Sequence, residues 1–436
     1  MMAQRQNHKK AALVTLGCPK NQVDSEVLAG ELVRGGLTLV GRLEDADLIF
    51  INTCAFIDEA KQESVDAILQ AVELKKNGKG PKVYAWGCLP QRYREDLKAE
   101  IPELDGLFGV EPYEEMGWFL FNGSYRWSSE AFNRRILSTP PHTAYLKIAD
   151  GCDHRCTFCA IPGIKGRYRS RSVNSLVEEA AALADKGVKE LILIAQDTTA
   201  YGSDLEDGSR LITLLERLVS VEGIRWIRLL YSHPAHLTDE IIEFMAGEAK
   251  VCCYIDLPLQ HVSDEMLRRM GRSMGSTTIK KLIHRLRTKI PGLVLRTTFI
   301  VGFPGETDAM FEELVDFVRE TRFQRLGAFK FSTQEGTEAH RLRPRVPKRV
   351  AKERYRMLME VQQDVARELN RTLESEEIPV IVDGYDADQG LSFGRSEGDA
   401  PDIDQTVWIK GNVRAGDIVR VRVEASSAYD LVGRVV

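Results

Sequence analysis

The sequence predicts an α/β protein in three parts: an N-terminal Rossmann- or flavodoxin-like α/β domain, a central partial (β/α)6 barrel of TIM type, and a small C-terminal all-β barrel of OB type. Three observations predict it. The first hundred residues repeat one strand–helix step. From Thr143 to about Ser332, six strand-like apolar runs alternate with helix-like stretches. From Arg371 onward the chain changes to short β runs broken by Gly and Asp turns. Strands alternating with helices build parallel sheets, and consecutive short strands close into small barrels.

In the first part, Ala11–Cys18, Asp47–Cys54 and Lys82–Cys88 are apolar runs that each end in Cys, with helix-like stretches over Ser25–Gly35 and Asp58–Lys75 between them. The cysteines stand 36 and 34 residues apart, close to the ~30 residues of one βα step. Parallel strands put their C-terminal ends on one edge, where open α/β sheets bind ligands, so Cys18, Cys54 and Cys88 should converge in space. Free cysteines are often no more than buried apolar residues. Burial alone, however, would scatter them along strands rather than place all three at the exit end.

Glu114 to His142 reads as a connector packed between domains. It is rich in aromatics (Trp118, Phe119, Phe121, Tyr125, Trp127, Phe132) and in Ser, Asn and Pro. Domain boundaries are expected at 8–118, 119–142 (connector), 143–370 and 371–436.

In the central part the strands are expected at Ala144–Ala149, Glu190–Ala195, Trp226–Tyr231, Tyr254–Leu257, Val294–Val301 and Leu326–Phe331. Helices such as Ser175–Lys186, Leu211–Val219, Asp239–Met245, Ser276–Arg287 and Ala309–Arg322 lie between them. Active sites on such barrels sit at the C-terminal ends of the strands. Arg341–Arg356 holds eight basic residues and one acid, which fits a solvated helix face as well as a nucleic-acid contact. A helix should follow over Lys352–Thr372. The tail strands are expected at Ile378–Val382, Thr406–Ile409, Ile418–Glu424 and Leu431–Val436.

The 436 residues carry a net charge of −5, which excludes a global attraction to nucleic acid or anionic membrane. The first ten residues are polar and lack a signal-peptide core, and no apolar run approaches the ~20 residues of a membrane helix. A cytoplasmic protein without membrane contact is expected. Eight cysteines in such a chain favour metal or redox chemistry over disulfides.

The sharpest motif is Gly151-Cys-Asp-His-Arg-Cys-Thr-Phe-Cys159, a CxxxCxxC loop directly after the first central strand. Cys152, Cys156 and Cys159 are spaced to hold three irons of a cubane cluster and leave the fourth iron open for a substrate or cofactor. A zinc knuckle would want a fourth Cys or His at short range. His154 lies inside the loop, where the turn would aim it poorly.

The run CDHRCTFCAIP, with Phe158 before the last Cys, resembles the radical S-adenosylmethionine (SAM) superfamily. With the three-cysteine N-terminal domain and the β tail, which is TRAM-like, the chain resembles the methylthiotransferases over nearly its whole length. Most members modify an adenosine in tRNA; one branch modifies an aspartate of a small-subunit ribosomal protein, S-twelve. LGCPKNQVDSE (Leu16–Glu26), NTCAFIDEAKQESVDAI (Asn52–Ile68), GCLPQRY (Gly87–Tyr93) and DLPLQHVSD (Asp256–Asp264) resemble the ribosomal-protein branch, whereas the tRNA branch more often reads GCQMN and PVQSGS. The resemblance implies two [4Fe–4S] clusters, on Cys152, Cys156 and Cys159 and on Cys18, Cys54 and Cys88. SAM would act both as radical source, chelated by the open iron of the first cluster, and as methyl donor. The radical would take hydrogen from the β-carbon of the aspartate, a task for cofactor chemistry, and sulfur would come from the second cluster.

The resemblance also implies SAM contacts. Gln196 or Asp197 stands where superfamily members bind the SAM amino group, although Gly-Gly-Glu is absent. Arg296 and Thr298 are candidates for its carboxylate or ribose, and Gly302–Glu306 resembles an adenine-contact loop that also reads as a plain turn. Ser232-His233 and Gln260-His261 should face the same mouth. Cys252 and Cys253 read as core, because neighbours on a strand point to opposite faces.

The tail holds 13 acids against 7 bases, which suits a basic ribosomal protein better than RNA; a plain solubilising surface would look the same. Expected partners are therefore the ribosomal small-subunit protein or the subunit itself and an electron donor such as a flavodoxin or ferredoxin. No specific tRNA binding is expected, and the chain should be a monomer. The competing functions are tRNA adenosine C2 methylthiolation and a non-catalytic iron–sulfur or zinc scaffold.

Overall fold

The computed structural model describes residues 9–75, 80–120 and 129–436. Phe121, Tyr125 and Trp127 of the expected connector lie outside the described residues.

The N-terminal domain runs β1 (Lys10–Thr15), α1 (Pro19–Arg34), β2 (Thr38–Leu39), β3 (Leu48–Thr53), α2 (Asp58–Glu73), β4 (Lys82–Gly87), α3 (Cys88–Glu100), β5 (Gly106–Leu107) and α4 (Tyr113–Leu120). The sheet is parallel with order β2-β1-β3-β4-β5, the flavodoxin-like order. Helices cover both faces, so central strands read as continuous apolar runs, and all six residues of β3 are buried. In α1, Pro19 sits in the first turn, where its missing N–H costs nothing. The helix is buried from Lys20 to Leu32 except at Gln22, because it lies between its own sheet and the central domain. Helix α4 runs through the boundary expected at 118–119.

The central domain begins with β6 (Thr143–Lys147) and a two-stranded antiparallel ribbon of β7 (Ala149–Asp150) and β8 (Arg169–Ser170), with α5 (Ile161–Lys165) between them. It continues through α6 (Val173–Asp185), β9 (Glu190–Ile194), α7 (Leu211–Val219), β10 (Trp226–Leu229), α8 (Asp239–Gly247), β11 (Val251–Asp256), α9 (Asp264–Arg269), α10 (Ser276–Lys289), β12 (Val294–Val301), α11 (Asp308–Thr321) and β13 (Arg325–Lys330). Strands β6 and β9–β13 pair in sequence order, all parallel, in an open sheet of six. Right-handed crossovers place the helices on one face of such a sheet and make it curl. The outer core joins strand residues such as Leu193 and Leu229 to Leu176, Leu214 and Leu314 of the helices.

Helix α12 (Lys348–Arg371) leads to the C-terminal domain. There β14 (Glu377–Asp386), β15 (Leu391–Ser396), β16 (Thr406–Lys410), β17 (Ile418–Ser426) and β18 (Asp430–Val435) close in the order β14-β15-β16-β18-β17, with one parallel pair, β16 and β18. Strand β15 had no counterpart in the sequence reading. Its sequence, LSFGRS, hides the alternation because Ser392 and Arg395 are buried.

The concave face of the half-barrel is filled from outside its own domain. Val23 and Val27 of α1 and Ala400 of the β15–β16 loop pack in one cluster with Tyr145, Ile192, Ile194, Trp226 and Tyr254. Buried ion pairs bolt the parts together. Arg135 bonds Glu26 at 2.5 Å, Glu179 at 2.9 Å and the Tyr145 carbonyl at 2.5 Å. Arg395 joins Asp383 and Glu190, both at 2.7 Å, and Glu190 is also held by Arg228 at 2.9 Å. Asp399 takes Arg325 at 2.7 Å and Asp404 takes Arg296 at 3.3 Å. The tail's acidity therefore needs correction as a partner signal: Asp383, Asp399 and Asp404 are internal cement. So is part of the basic run, since Arg354 is buried on Glu306 at 2.6 Å.

Candidate active site

The strand ends of the N-terminal sheet place the first cysteine trio. Cys18 caps α1 just beyond β1, Cys54 follows β3, and Cys88 opens α3 directly after β4. Because β1 and β3 are neighbours, Cys18 and Cys54 flank the point where strand order reverses. Cys88 senses both of the others electrostatically. Gly17 makes the approach possible: it has φ +92°, and a Cβ there would lie 2.7 Å from the Cys54 Cβ and 3.1 Å from its Sγ.

The second trio lies on the loop clasped by β7 and β8. Gly151, at φ +78°, lets the loop fold back, since a Cβ would meet the Arg167 carbonyl oxygen at 2.0 Å. Cys159 senses both Cys156 and Cys152. Arg272 points a guanidinium N–H at the Cys156 Sγ, 3.7 Å away. Phe158 packs beside Met266, Met270 and Phe303.

The two trios share one junction. Ile164 and Ala160, just after Cys159, pack into the N-terminal core beside Cys88. Between the trios runs a buried charged network. Lys165 lies 3.2 Å from Asp150 and 3.6 Å from Asp24, Lys147 also reaches Asp24, and the Tyr113 hydroxyl donates to Asp24 at 2.7 Å. Burial opposes ionisation of Asp150. Lys165 and Lys147, with hydrogen bonds from Gln196 and Gly151, outweigh it and hold the carboxyl below the usual range.

The expected SAM-contact residues separate into groups. Gln196 donates to Asp150 at 2.7 Å, while its buried Oε1 and the Ser232 hydroxyl have no hydrogen-bond partner among the described residues. Asp197 points elsewhere: one oxygen caps the next turn at Ala200, and the other receives His154 at 2.7 Å and His236 at 2.8 Å. The His154 ring stacks on His233 with centroids 4.1 Å apart. Ligand atoms of His154, Asp197, His233 and His236 all lie within 4.8 Å of one another. The turn thus engages His154 with Asp197 and the two other histidines rather than as a fourth ligand beside the cysteines. Burial pushes His233 down to about 3, and the Asp197 hydrogen bond raises His236.

Arg296 is committed to Asp256 at 3.0 Å and Asp404 at 3.3 Å, pairings that account for it without a ligand. Thr298 accepts the Gln260 N–H on its carbonyl at 2.8 Å. His261 is buried on Glu306 at 3.3 Å, and Glu306 also ties the Gly302 N–H at 2.6 Å, so the Gly302–Glu306 turn is internally satisfied. Cys252 is core. Lys20 was not singled out from sequence. Its Nζ donates to the Ala195 carbonyl at 3.3 Å and lies 3.4 Å from the Tyr231 ring centroid.

The donor chemistry fits iron–sulfur clusters. Burial pushes Cys88 and Cys159 up to about 12 and Cys152 to about 11, so these thiols are neutral until a metal displaces their protons. The partnerless Gln196 and Ser232 oxygens fit an amine-bearing cofactor beside the second trio.

A flavodoxin-like domain with three cysteines at its strand ends, an open six-stranded parallel half-barrel entered by a CxxxCxxC loop, and a closed β module define a radical SAM enzyme with a second thiol site. Family comparison agrees. Residues 146–318 match the radical SAM superfamily, 10–109 match the uncharacterized protein family UPF0004, and 376–436 match the TRAM domain. The chain is 46% identical to the ribosomal protein uS12 methylthiotransferase RimO of Desulforudis audaxviator, across 98% of this chain and 97% of that protein. It is 47% identical to RimO of Myxococcus xanthus, across 98% and 92%. The chain belongs to the RimO family of radical SAM methylthiotransferases. In fold it is similar to the radical SAM methyltransferase TsrM from Kitasatospora setae, with a TM-score of 0.54 at 14% identity over 76% of this chain and 74% of that one. It also resembles the cobalamin-dependent enzyme OxsB, with a TM-score of 0.53 at 13% identity over 81% and 56%.

Proposed function

We propose that this protein transfers a methylthio group to the β-carbon of an aspartate in ribosomal protein uS12. One observation carries the reading: two thiol trios on separate domains share a single buried junction, in a chain 46% identical to a uS12 methylthiotransferase. When bound, two [4Fe–4S] clusters and SAM supply the radical that removes an unactivated hydrogen and the methylthio group that replaces it. Cys152, Cys156 and Cys159 hold one cluster, and Cys18, Cys54 and Cys88 hold the other. Gln196, with its free oxygen, orients the SAM amino group; Phe158 walls the loop. Asp197 fixes His154 and hence the loop between Cys152 and Cys156. Arg296 and Thr298 shape the strand edge, Arg296 through Asp256 and Asp404. Helix α1 and the β15–β16 loop exclude water from the concave face.

The working form is a cytoplasmic monomer that takes electrons from a flavodoxin or ferredoxin, acts on uS12 alone or in the small subunit, and has no specific affinity for tRNA. Among the described residues no helix is long and apolar enough to cross a membrane.

The test is reconstitution under anaerobic conditions. The native chain should bind about eight irons, and changing Cys18, Cys54 and Cys88 together to Ala should halve that while SAM is still cleaved reductively. Modified uS12 should be detected by mass. Full iron retention in the triple variant, or a thiomethylated nucleoside without modified uS12, refutes the reading.

A further inference from the structure

Lys20 is the charged side chain that packing explains least. It is in the first turn of α1, two residues after Cys18, and is 7% exposed. Its ammonium has three N–H donors, and the protein engages it with one carbonyl and the face of the Tyr231 ring. Of the groups it senses, the Cys18 thiol is the foremost, and the two carboxylates are matched by other cations: Asp150 by Lys147 and Lys165, and Asp256 by Arg296. Among the described residues no carboxylate lies within ion-pair distance of Lys20. The other buried cations of the junction (Lys147, Lys165, Arg135) each have a carboxylate partner, as has the half-buried Arg296. A buried ammonium without a counter-charge is unfavourable unless an anion completes it.

Its position says which anion. Ala195 directly follows β9 and Tyr231 lies just beyond β10, so the ammonium stands at the C-terminal strand edge while its backbone is in the first turn of α1, which Cys18 caps. It joins the Cys18 end of α1 to the strand edge of the half-barrel. Resting on the aspartate methylthiotransferase reading, we propose that Lys20 is a carboxylate subsite that receives the side-chain carboxylate of the target aspartate. The β-carbon is bonded directly to that carboxylate. Holding the carboxylate on Lys20 therefore fixes the reacting carbon between the cofactor side and the sulfur side of the junction. The same ammonium rejects an asparagine, which offers no charge.

The experiment uses the full chain, cluster-loaded, with uS12 and with a uS12 variant whose modified aspartate is replaced by asparagine. Binding of both is measured for the wild type, Lys20→Met and Lys20→Arg, together with SAM affinity and iron content. The wild type should prefer the aspartyl protein by ~10–100-fold, the range of a hydrogen bond to a charged group. Lys20→Met should bind both proteins alike, and Lys20→Arg should recover part of the preference. An unchanged aspartate preference in Lys20→Met overturns the proposal. So does a loss of SAM affinity with that preference intact, which would assign the ammonium to the SAM carboxylate. A loss of iron confined to the Cys18 trio would make Lys20 a counter-charge for thiolates instead. Failure of the wild type to modify uS12 at all is a separate outcome, and it overturns the functional reading itself.

Discussion

Arg395→Met tests whether the C-terminal barrel is bolted to the catalytic core by charge. Arg395 is 6% exposed and spends its guanidinium on two carboxylates, Asp383 at 2.7 Å and Glu190 at 2.7 Å. Methionine keeps the volume and removes the charge. Glu190, fully buried, would keep Arg228 at 2.9 Å, and Asp383 would keep His142 at 2.9 Å. Breaking one partner from a buried pair costs ~3–5 kcal/mol; the surviving partners put the expectation at the lower end, ~3 kcal/mol. The pH dependence adds a second check. Burial opposes ionisation of Glu190, but Arg395 and Arg228 prevail and lower its pKa in the folded state. That stabilisation is complete above the unfolded carboxylate pKa and is lost as pH falls through the folded value. The variant's deficit should therefore be largest near neutrality and shrink on acidification below about pH 4.3, the ordinary Glu value. Urea unfolding of both proteins at pH 7 and pH 4 measures this. A deficit under ~1 kcal/mol at pH 7, the scale of an exposed pair, or one independent of pH, refutes the reasoning.

Gly17→Ala forces a Cβ to within 2.7 Å of the Cys54 Cβ at a backbone φ of +92°. Bound iron should fall toward half, read by iron assay and absorbance, while iron on the Cys152 loop stays. Gln196→Leu removes the donor to Asp150 and the unpartnered oxygen; SAM affinity should drop ~10-fold by calorimetry, as for one hydrogen bond to a charged group. Asp197→Asn weakens the hydrogen bond to a carboxylate and removes the charge that together raise His236, so the proton on that ring should leave at lower pH in an NMR titration, and an unshifted His236 would contradict the assignment.

Much of this was legible because two periodicities are strict. Fully buried parallel strands leave apolar runs such as Leu48–Thr53, and their common direction is enough to bring Cys18, Cys54 and Cys88 to one edge. The CxxxCxxC spacing is local and needs no tertiary information. What stayed hidden depends on long-range pairing. Gln196 and Asp197 are adjacent in sequence but serve different networks, one with Asp150 and one with His154 and His236. The ribbon of β7 and β8 has two residues per strand, too short for any pattern. Nothing in the sequence marks Lys20 as buried; only the packing of α1 against the half-barrel buries it.

The acidity of the tail shows why charge counts mislead when domains dock. Asp399 and Asp404 neutralise Arg325 and Arg296 at the foot of the half-barrel, and Asp383 with Arg395 clamps Glu190 at the start of β9. Those charges are set against the core, where no partner reaches them, and Ala400 on the same loop helps to fill the concave face. The C-terminal barrel is therefore part of the catalytic body rather than an arm attached to it. Any steering of a basic protein must come from the acids left outside, such as Asp388 and Glu374 on the exposed turns. Because α1 and the tail loop meet in the same cluster, the spacing of the two cysteine trios is fixed by packing across all three domains, and loosening any one of them would move sulfur relative to carbon.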